Sequence, residues 1–260
     1  MIDVLILCAG EGKRLRPLTK DKPKCLIKFK SKSLLDYQLD IIKRNKECKN
    51  IYVAVGYKKN KLNRYKKLVK IINVPDFDKK NMLHSLIFSI NKIKSKNDLI
   101  VSYGDIIFNN HVFKKIIQSN YNISTISHTN FLNFWKERFK KKFMSDLETF
   151  KVKKGSIITE VGNKPNSLKD ISGQYIGLSK LKKRKIKKIL SIYKKYRNLL
   201  KLETKHITYF FNLLISKKFI INFIPISKGW LEFDSLSDMK AYNNIKNLKK
   251  KGFFDFNEFL

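Results

Sequence analysis

Apolar residues in this chain come in short dense runs closed by glycine, alternating with stretches in which they recur every three or four positions. Ile2 to Ala9 is a continuous apolar run ending at Gly10, and Ile51 to Val55 is a second, ending at Gly56. Runs of this length read as strands covered on both faces, as in a parallel sheet. Between them Leu34, Leu35, Leu39, Ile41 and Ile42 fall at near-helical spacing behind Ser33, which is placed to cap the helix. Strand, helix and strand make one βαβ unit. The same alternation predicts a polar helix near 60–69, a strand around Ile71 to Val74, a helix over Met82 to Ile93 and a buried strand from Leu99 to Tyr103.

After position 122 strand-like pieces dominate: Ile123 to Ser127, Glu148 to Val152, Ile157 to Val161 and Tyr175 to Leu178. Helices are then expected over Lys183 to Tyr196 and His206 to Ser216, strands over Phe219 to Ile224 and Trp230 to Phe233, and a last helix over Ser235 to Leu248. No linker or repeat divides the chain. The expectation is one α/β domain over 1–260, with a doubly wound half over 1–121 and a half over 122–260 that carries a β-rich insertion.

Composition adds core material and a charge question. With 43% apolar residues, including 19 Phe and 11 Tyr, the 260-residue chain can bury a sizeable core. Against 21 acidic residues stand 57 basic ones, 50 of them Lys and 7 Arg, for a net charge of +36. Lys140-Lys141-Lys142, Lys182-Lys183 and Lys249-Lys250-Lys251 are typical clusters, and lysine is spread through nearly every segment. Base readers rely on arginine forks, and single-strand binders on aromatics interleaved with a basic groove. Dispersed lysine instead suits a solvated surface and a general attraction for anions, so no specific nucleic-acid partner is expected.

Cys8, Cys25 and Cys48 are odd in number and nowhere form a Cys-x-x-Cys pair, which argues against a disulfide framework or a structural zinc site and suits a reducing cytoplasm. The first apolar run carries Asp3 with no basic segment before it, and no run approaches the roughly 18 apolar residues of a spanning helix, so neither a signal peptide nor a membrane partner is read here. A monomer or homodimer is expected.

Directly after the first strand stands Leu7-Cys8-Ala9-Gly10-Glu11-Gly12-Lys13-Arg14-Leu15-Arg16-Pro17-Leu18-Thr19, followed by Lys22-Pro23-Lys24-Cys25-Leu26. A glycine-rich turn at the carboxyl end of a parallel strand lets backbone N–H groups approach phosphate, and open α/β sheets bind ligands there. The dinucleotide fingerprint fails at its third glycine, where Leu15 stands, and the Walker pattern is absent. What remains is Gly-x-Gly-x-Arg-Leu-x-Pro-Leu-Thr with a downstream Pro-Lys. That string resembles the signature of the sugar-phosphate and choline-phosphate nucleotidyltransferases, enzymes with a Rossmann-like mixed sheet of glycosyltransferase-A type.

The resemblance extends along nearly the whole chain. Asn81-Met82-Leu83-His84-Ser85-Leu86, Leu99 to Ile107 with its Gly104-Asp105, Trp135-x-x-Arg138, Glu148-Thr149, Gly173 to Leu178 and Trp230-Leu231-Glu232-Phe233-Asp234 are similar to the branch that makes cytidine diphosphate derivatives of small phosphorylated metabolites. It implies a magnesium-dependent transfer of CMP from CTP to a phosphocholine-like phosphate or phosphonate, with release of pyrophosphate. The first half would bind the nucleotide and the second the acceptor. A sugar-1-phosphate nucleotidyltransferase using UTP or dTTP is the nearest alternative, and a basic nucleic-acid-binding module is the non-enzymatic one.

The chemistry asks for the same residue types. Bringing two polyanions together requires positioning and charge neutralisation. The resemblance assigns Arg14 and Lys24, with Lys13, to the phosphates, and makes Asp105 and Asp234 the magnesium pair; Arg14, Lys24, Asp105 and Asp234 form the expected catalytic set. Magnesium usually takes only one or two protein carboxylates, and Asp105 ends a buried strand, where an unpaired carboxylate would be costly. Asp234 has a second reading as a helix cap ahead of Ser235 and Asp238. Ala9, Gly10, Gly12, Gly56, Asn81 and Ser85 complete the expected nucleotide site.

Trp135, Arg138, Glu148, Gln174, Tyr175, Trp230 and Glu232 are the expected acceptor residues, since aromatic faces and carboxylates suit an ammonium-bearing phosphate. Where the branch commonly has an aspartate after its mid-chain strand this sequence has His128, and an expected tryptophan nearby is Phe131, which leaves the acceptor's identity open. His84, His111 and His206 have no carboxylate or cysteine at catalytic or zinc spacing and are read as packing or surface residues.

Overall fold

A computed structural model describes residues 1–244, 248 and 250–259. Lys249 and the 245–247 portion of the expected last helix lie outside the described residues, as do the side chains of Lys141 and Lys142. The strands are β1 (Ile2–Cys8), β2 (Lys28–Phe29), β3 (Lys32–Ser33), β4 (Cys48–Val55), β5 (Lys70–Asn73), β6 (Asp98–Tyr103), β7 (Ile106–Phe108), β8 (Ile123–His128), β9 (Phe150–Lys153), β10 (Ile157–Val161), β11 (Gln174–Leu181), β12 (Asn222–Ile226) and β13 (Trp230–Glu232). The helices are α1 (Leu34–Lys43), α2 (Met82–Ile93), α3 (Asn110–Ile117), α4 (Phe131–Phe139), α5 (Lys183–Tyr196), α6 (Ile207–Ser216) and α7 (Leu236–Asn244). None is long and apolar enough to cross a membrane.

Among the described residues the main sheet runs β5-β4-β1-β6-β11-β8-β12-β10-β9. The first four strands are mutually parallel, β11 runs antiparallel to both β6 and β8, and β12 returns parallel to β8. β1 shows why its sequence is apolar throughout. Val4, Ile6 and Cys8 pack with α1, α3, α4 and α7 on one face, while Leu5, Leu7 and Ala9 pack with α2, α5 and α6 on the other. A strand inside a two-faced sheet has no solvent side. The carboxyl ends of β1, β4, β6 and β8 and the amino end of β11 therefore share one edge, the edge at which such sheets bind ligands.

Local chemistry sets several boundaries. Ser33 caps α1 in a reciprocal box: its hydroxyl accepts the Asp36 N–H at 3.1 Å, and the Asp36 carboxylate accepts the Ser33 N–H at 3.2 Å. Asn81 begins α2, its Oδ1 accepting the Met82 N–H at 2.7 Å. Expected segments that differ are instructive. The polar stretch read as an α-helix near 60–69 is a 3-10 segment, Lys59–Tyr65, in which the buried Leu62 and Tyr65 follow a three-residue spacing. The strand expected over Phe219 to Ile224 sits two to three residues later, over Asn222–Ile226, with Ile220 59% exposed outside it. β7, α3 and α4 were not expected. α4 interrupts what reads as continuous strand text, because its Phe131, Phe134 and Trp135 are buried as an aromatic cluster.

Candidate active site

A two-stranded ladder brings the two key aspartates together. β7 directly follows Asp105, β13 ends two residues before Asp234, and the strands pair antiparallel with Glu232 opposite Ile106. One further backbone bond, from the Phe233 N–H to the Asp105 carbonyl at 2.9 Å, extends the pairing to the aspartates themselves. Gly104 lets this strand end lie against β1: a Cβ there would stand 2.5 Å from Cys8 Sγ and 2.7 Å from the Leu7 carbonyl oxygen. Lys24, from the loop after the glycine turn, reaches between the aspartates, its Nζ 2.6 Å from Asp105 Oδ2 and 2.8 Å from Asp234 Oδ1. The Arg14 guanidinium pairs with the other oxygen of Asp234. Residues 81 and 210 positions from Lys24 thus converge on one ammonium group.

Two adjoining cavities open on this cluster. The first, of about 300 Å³, is lined on the glycine-loop side by Gly10, Gly12, Lys13, Arg14 and Lys24, and closed by Asn81, Asp105, His206 and Asp234. A Cβ at Gly10 would meet nothing within 4 Å, so the backbone there is open to a ligand. The second, of about 230 Å³, is lined by Trp135, Asp146, Glu148, Gln174, Tyr175 and Glu232, and shares Arg14, Met82, Tyr103, Asp105, His206 and Asp234 with the first.

Some expected contacts lie elsewhere. Ala9 is buried with its carbonyl accepting the Tyr57 N–H at 3.0 Å, Ser85 is buried within α2, and Gly56 packs against the Phe77 ring, so none of the three lines either cavity. Trp230 is 1% exposed behind Trp135, stacked on it at 5.7 Å with its indole N–H donated to the Ile176 carbonyl. Arg138 is also behind the wall: its Nε donates to Asp238 Oδ1 at 2.7 Å and its Nη1 to Glu232 Oε2 at 3.0 Å. Asp238 in turn accepts the backbone N–H groups of Asp234 and Ser235, each at 2.8 Å, which fixes the turn that carries Asp234. The helix-cap role considered for Asp234 therefore belongs to Ser235 and Asp238. His84 does have a carboxylate near it, Glu203 at 3.4 Å from Nδ1.

Tyr103, Asp146 and Thr208 line the second cavity beyond the expected residues, and His206, read from its spacing as a packing or surface residue, lines both cavities. Tyr103 carried a signal in its place before Gly104-Asp105; Asp146 and His206 carried none, since only the tertiary fold brings them to the rim.

The match to a nucleotidyl transferase family model covers residues 3–139, over half the chain, from the glycine loop and Lys24 through Asp105 to Arg138. This chain belongs to the nucleotidyl transferase family. A CTP:phosphoglutamine cytidylyltransferase of Campylobacter jejuni is 33% identical over 253 residues, covering 92% of this chain and 98% of that protein. In fold, the nucleotidyltransferase resembles the inositol-1-phosphate CTP transferase of T. maritima, with a TM-score of 0.70 at 17% identity over 94% of this chain and 96% of the other. It also resembles the CTP:phosphocholine cytidylyltransferase of Streptococcus pneumoniae, with a TM-score of 0.69 at 18% identity over 94% of this chain and 98% of the other. The Rossmann-like mixed sheet expected from the motifs is the fold observed.

Electrostatics divide the site of this nucleotidyltransferase into two environments. Burial alone would lower the Lys24 pKa, but Asp105 and Asp234 outweigh it and carry the ammonium above its ordinary value. In the second cavity the surrounding protein pushes the Asp146 and Glu148 carboxyls up, and burial raises Glu232 to about 7 against the pull of Arg138. A cationic group placed there would restore their charge. Asp105 Oδ1 is buried with no hydrogen-bond partner among the described residues, and an ammonium already sits between the two carboxylates. That donor set, two carboxylates beside a phosphate-sized opening, fits a hard divalent cation that completes its shell with phosphate and water oxygens.

Proposed function

We infer that this chain transfers CMP from CTP to a small phosphorylated or phosphonate metabolite with an ammonium group, a phosphocholine-like acceptor. An acceptor phosphate oxygen attacks the α-phosphorus, the bond to the β-bridging oxygen breaks, and pyrophosphate leaves with that electron pair. Support comes from one observation above all: the glycine-loop cavity and the carboxylate-rich cavity meet at Arg14, Asp105 and Asp234. Direct displacement needs no more than that the two phosphates meet there in line.

In this reading Gly10 and Gly12 offer backbone N–H groups to the triphosphate and Lys13, Arg14 and Lys24 neutralise it, while Asn81 at the α2 terminus faces the base side. Asp105 and Asp234 would hold Mg2+, which when bound spreads the charge developing on the phosphates. Lys24 then turns its ammonium toward the triphosphate. Trp135, Glu148, Gln174, Tyr175 and Glu232 hold the acceptor, while Arg138 and Trp230 support them from behind. Residues 1–121 supply most of the nucleotide side and 122–260 most of the acceptor side, although Asp234 and His206 cross that division. The three free thiols suit a reducing cytoplasm.

Pyrophosphate release measured across a grid of nucleotides and acceptors tests the reading. Turnover of CTP with an amine-bearing phosphate or phosphonate supports it. Robust turnover of UTP or dTTP with a hexose phosphate, and none of CTP, refutes it.

A further inference from the structure

The second cavity poses a charge problem for any phosphorylated acceptor. Asp105, Asp146, Glu148, Glu232 and Asp234 all line it; Lys24, Arg14 and Arg138 pair with Asp105, Asp234 and Glu232, while Asp146 and Glu148 have no ion-pair partner among the described residues, and a phosphate entering beside them needs a cationic or hydrogen-bonding partner. The basic side chains on its lining are Arg14 and His206. Arg14 is engaged by Asp234. His206, exposed at the junction of the two cavities, has no carboxylate partner among the described residues.

Its orientation follows from its neighbour. His206 Nε2 lies 3.4 Å from Asn81 Nδ2, and the other end of that amide, Oδ1, is held by the Met82 N–H at 2.7 Å. The amide therefore presents its NH2 toward Nε2 of the ring, and His206 Nδ1 has no hydrogen-bond partner among the described residues. His206 also caps α6, a ten-residue helix whose first-turn N–H groups have no side-chain cap, and helix amino ends favour anions. Thr208, 7% exposed with its side chain lying against Gly162, lines the same cavity beside it.

We propose that His206, with Thr208 behind it, binds the phosphate or phosphonate of the acceptor, while the carboxylates across the cavity take its cationic end. This deepens the proposed cytidylyl transfer and rests on it, and it assigns His206 a role that its sequence spacing did not suggest. The acceptor is then read at both ends, which excludes phosphates that lack a cationic group.

The test compares wild type with His206→Ala, His206→Arg and Thr208→Val in steady-state kinetics, alongside calorimetric binding of phosphoethanolamine and inorganic phosphate. His206→Ala should raise the acceptor KM about ten- to a hundredfold, the worth of one hydrogen bond to a charged group, with a much smaller change in the CTP KM and an unchanged melting temperature. His206→Arg should recover part of the loss, and Thr208→Val should show a smaller rise. An unchanged acceptor KM overturns the proposal, as does a CTP KM that rises in parallel. If the wild type turns over no acceptor on the grid, the proposed function falls separately. Calorimetry then decides the site: binding lost in His206→Ala supports it, and binding unaffected by the substitution, or absent in the wild type, overturns it.

Discussion

Replacing His128 with phenylalanine should change how stability depends on pH, by an amount and in a direction that the structure fixes. The ring is 1% exposed, stacked on Phe134 at 5.7 Å and flanked by Trp135 and Trp230, and its Nδ1 has no hydrogen-bond partner among the described residues. Burial lowers its pKa from 6.5 to about 4. Between those values the unfolded chain binds a proton that the folded chain refuses, so stability is lost as pH falls from about 6.5 toward 4. At about 1.4 kcal/mol for each factor of ten in the proton equilibrium, the full effect is about 3 kcal/mol.

Glu232 works in the opposite sense. Its carboxyl rises from 4.5 to about 7, so its contribution is present below the unfolded value and is lost as pH rises through 7. The two effects nearly cancel in the wild type, and the informative quantity is the difference between wild type and His128→Phe. Urea unfolding at several pH values between 4 and 7 should show the variant gaining on the wild type by about 3 kcal/mol toward acid, since a phenyl ring fits an aromatic surround and takes no proton. Parallel curves would mean that His128 is not held neutral by its surroundings, and the reasoning would fail.

Two further outcomes concern the aspartates. Asp238→Ala strips a buried guanidinium of one of its two carboxylate partners and frees the turn that carries Asp234, so urea unfolding should show a loss of about 3 kcal/mol, and activity measured well below the melting temperature should fall as well; Asp238→Asn, which keeps one acceptor oxygen, should lose less of both. Asp105→Ala should abolish pyrophosphate release while the chain stays folded by circular dichroism, and a rise in melting temperature on adding Mg2+ to the wild type should disappear in the variant. Near-normal turnover in Asp105→Ala would remove Asp105 from the metal pair.

Where local pattern and tertiary environment agreed, the sequence was legible to the residue. Met82–Ile93, Lys183–Tyr196 and Ile157–Val161 have the bounds that periodicity suggests. Elements were lost where the two diverged. Pro225 sits inside β12, and a proline there argues against a strand reading; α3 is only Asn110–Ile117, without the long repeat that announces a helix. The site divides in the same way. Gly10, Asp105 and Asp234 stand just past strand ends, where chain position alone implies a shared rim, and Lys24 follows in the loop after the first of them. Arg138 and Trp230 belong to the same motifs but point into the protein, because burial is not encoded in spacing. His206 and Asp146 reach the rim from distant segments and carry no local mark.

The lysine excess looks different once the site is placed. A net charge of +36 surrounds a cavity lined by five of the chain's 21 acidic residues, three of them paired with Arg14, Lys24 or Arg138. At long range such a surface attracts any polyanion, nucleotide included, which bears on encounter rather than on selection. At close range the carboxylates repel a bare phosphate chain, and a groove with that lining cannot track a nucleic-acid backbone as a cationic groove does. A ligand that carries its own positive charge is favoured beside Asp146 and Glu148, whose carboxyls have no ion-pair partner among the described residues. The β7–β13 ladder brings Asp105, Glu232 and Asp234 to this cavity, which is where the proposed function places the cationic end of the acceptor.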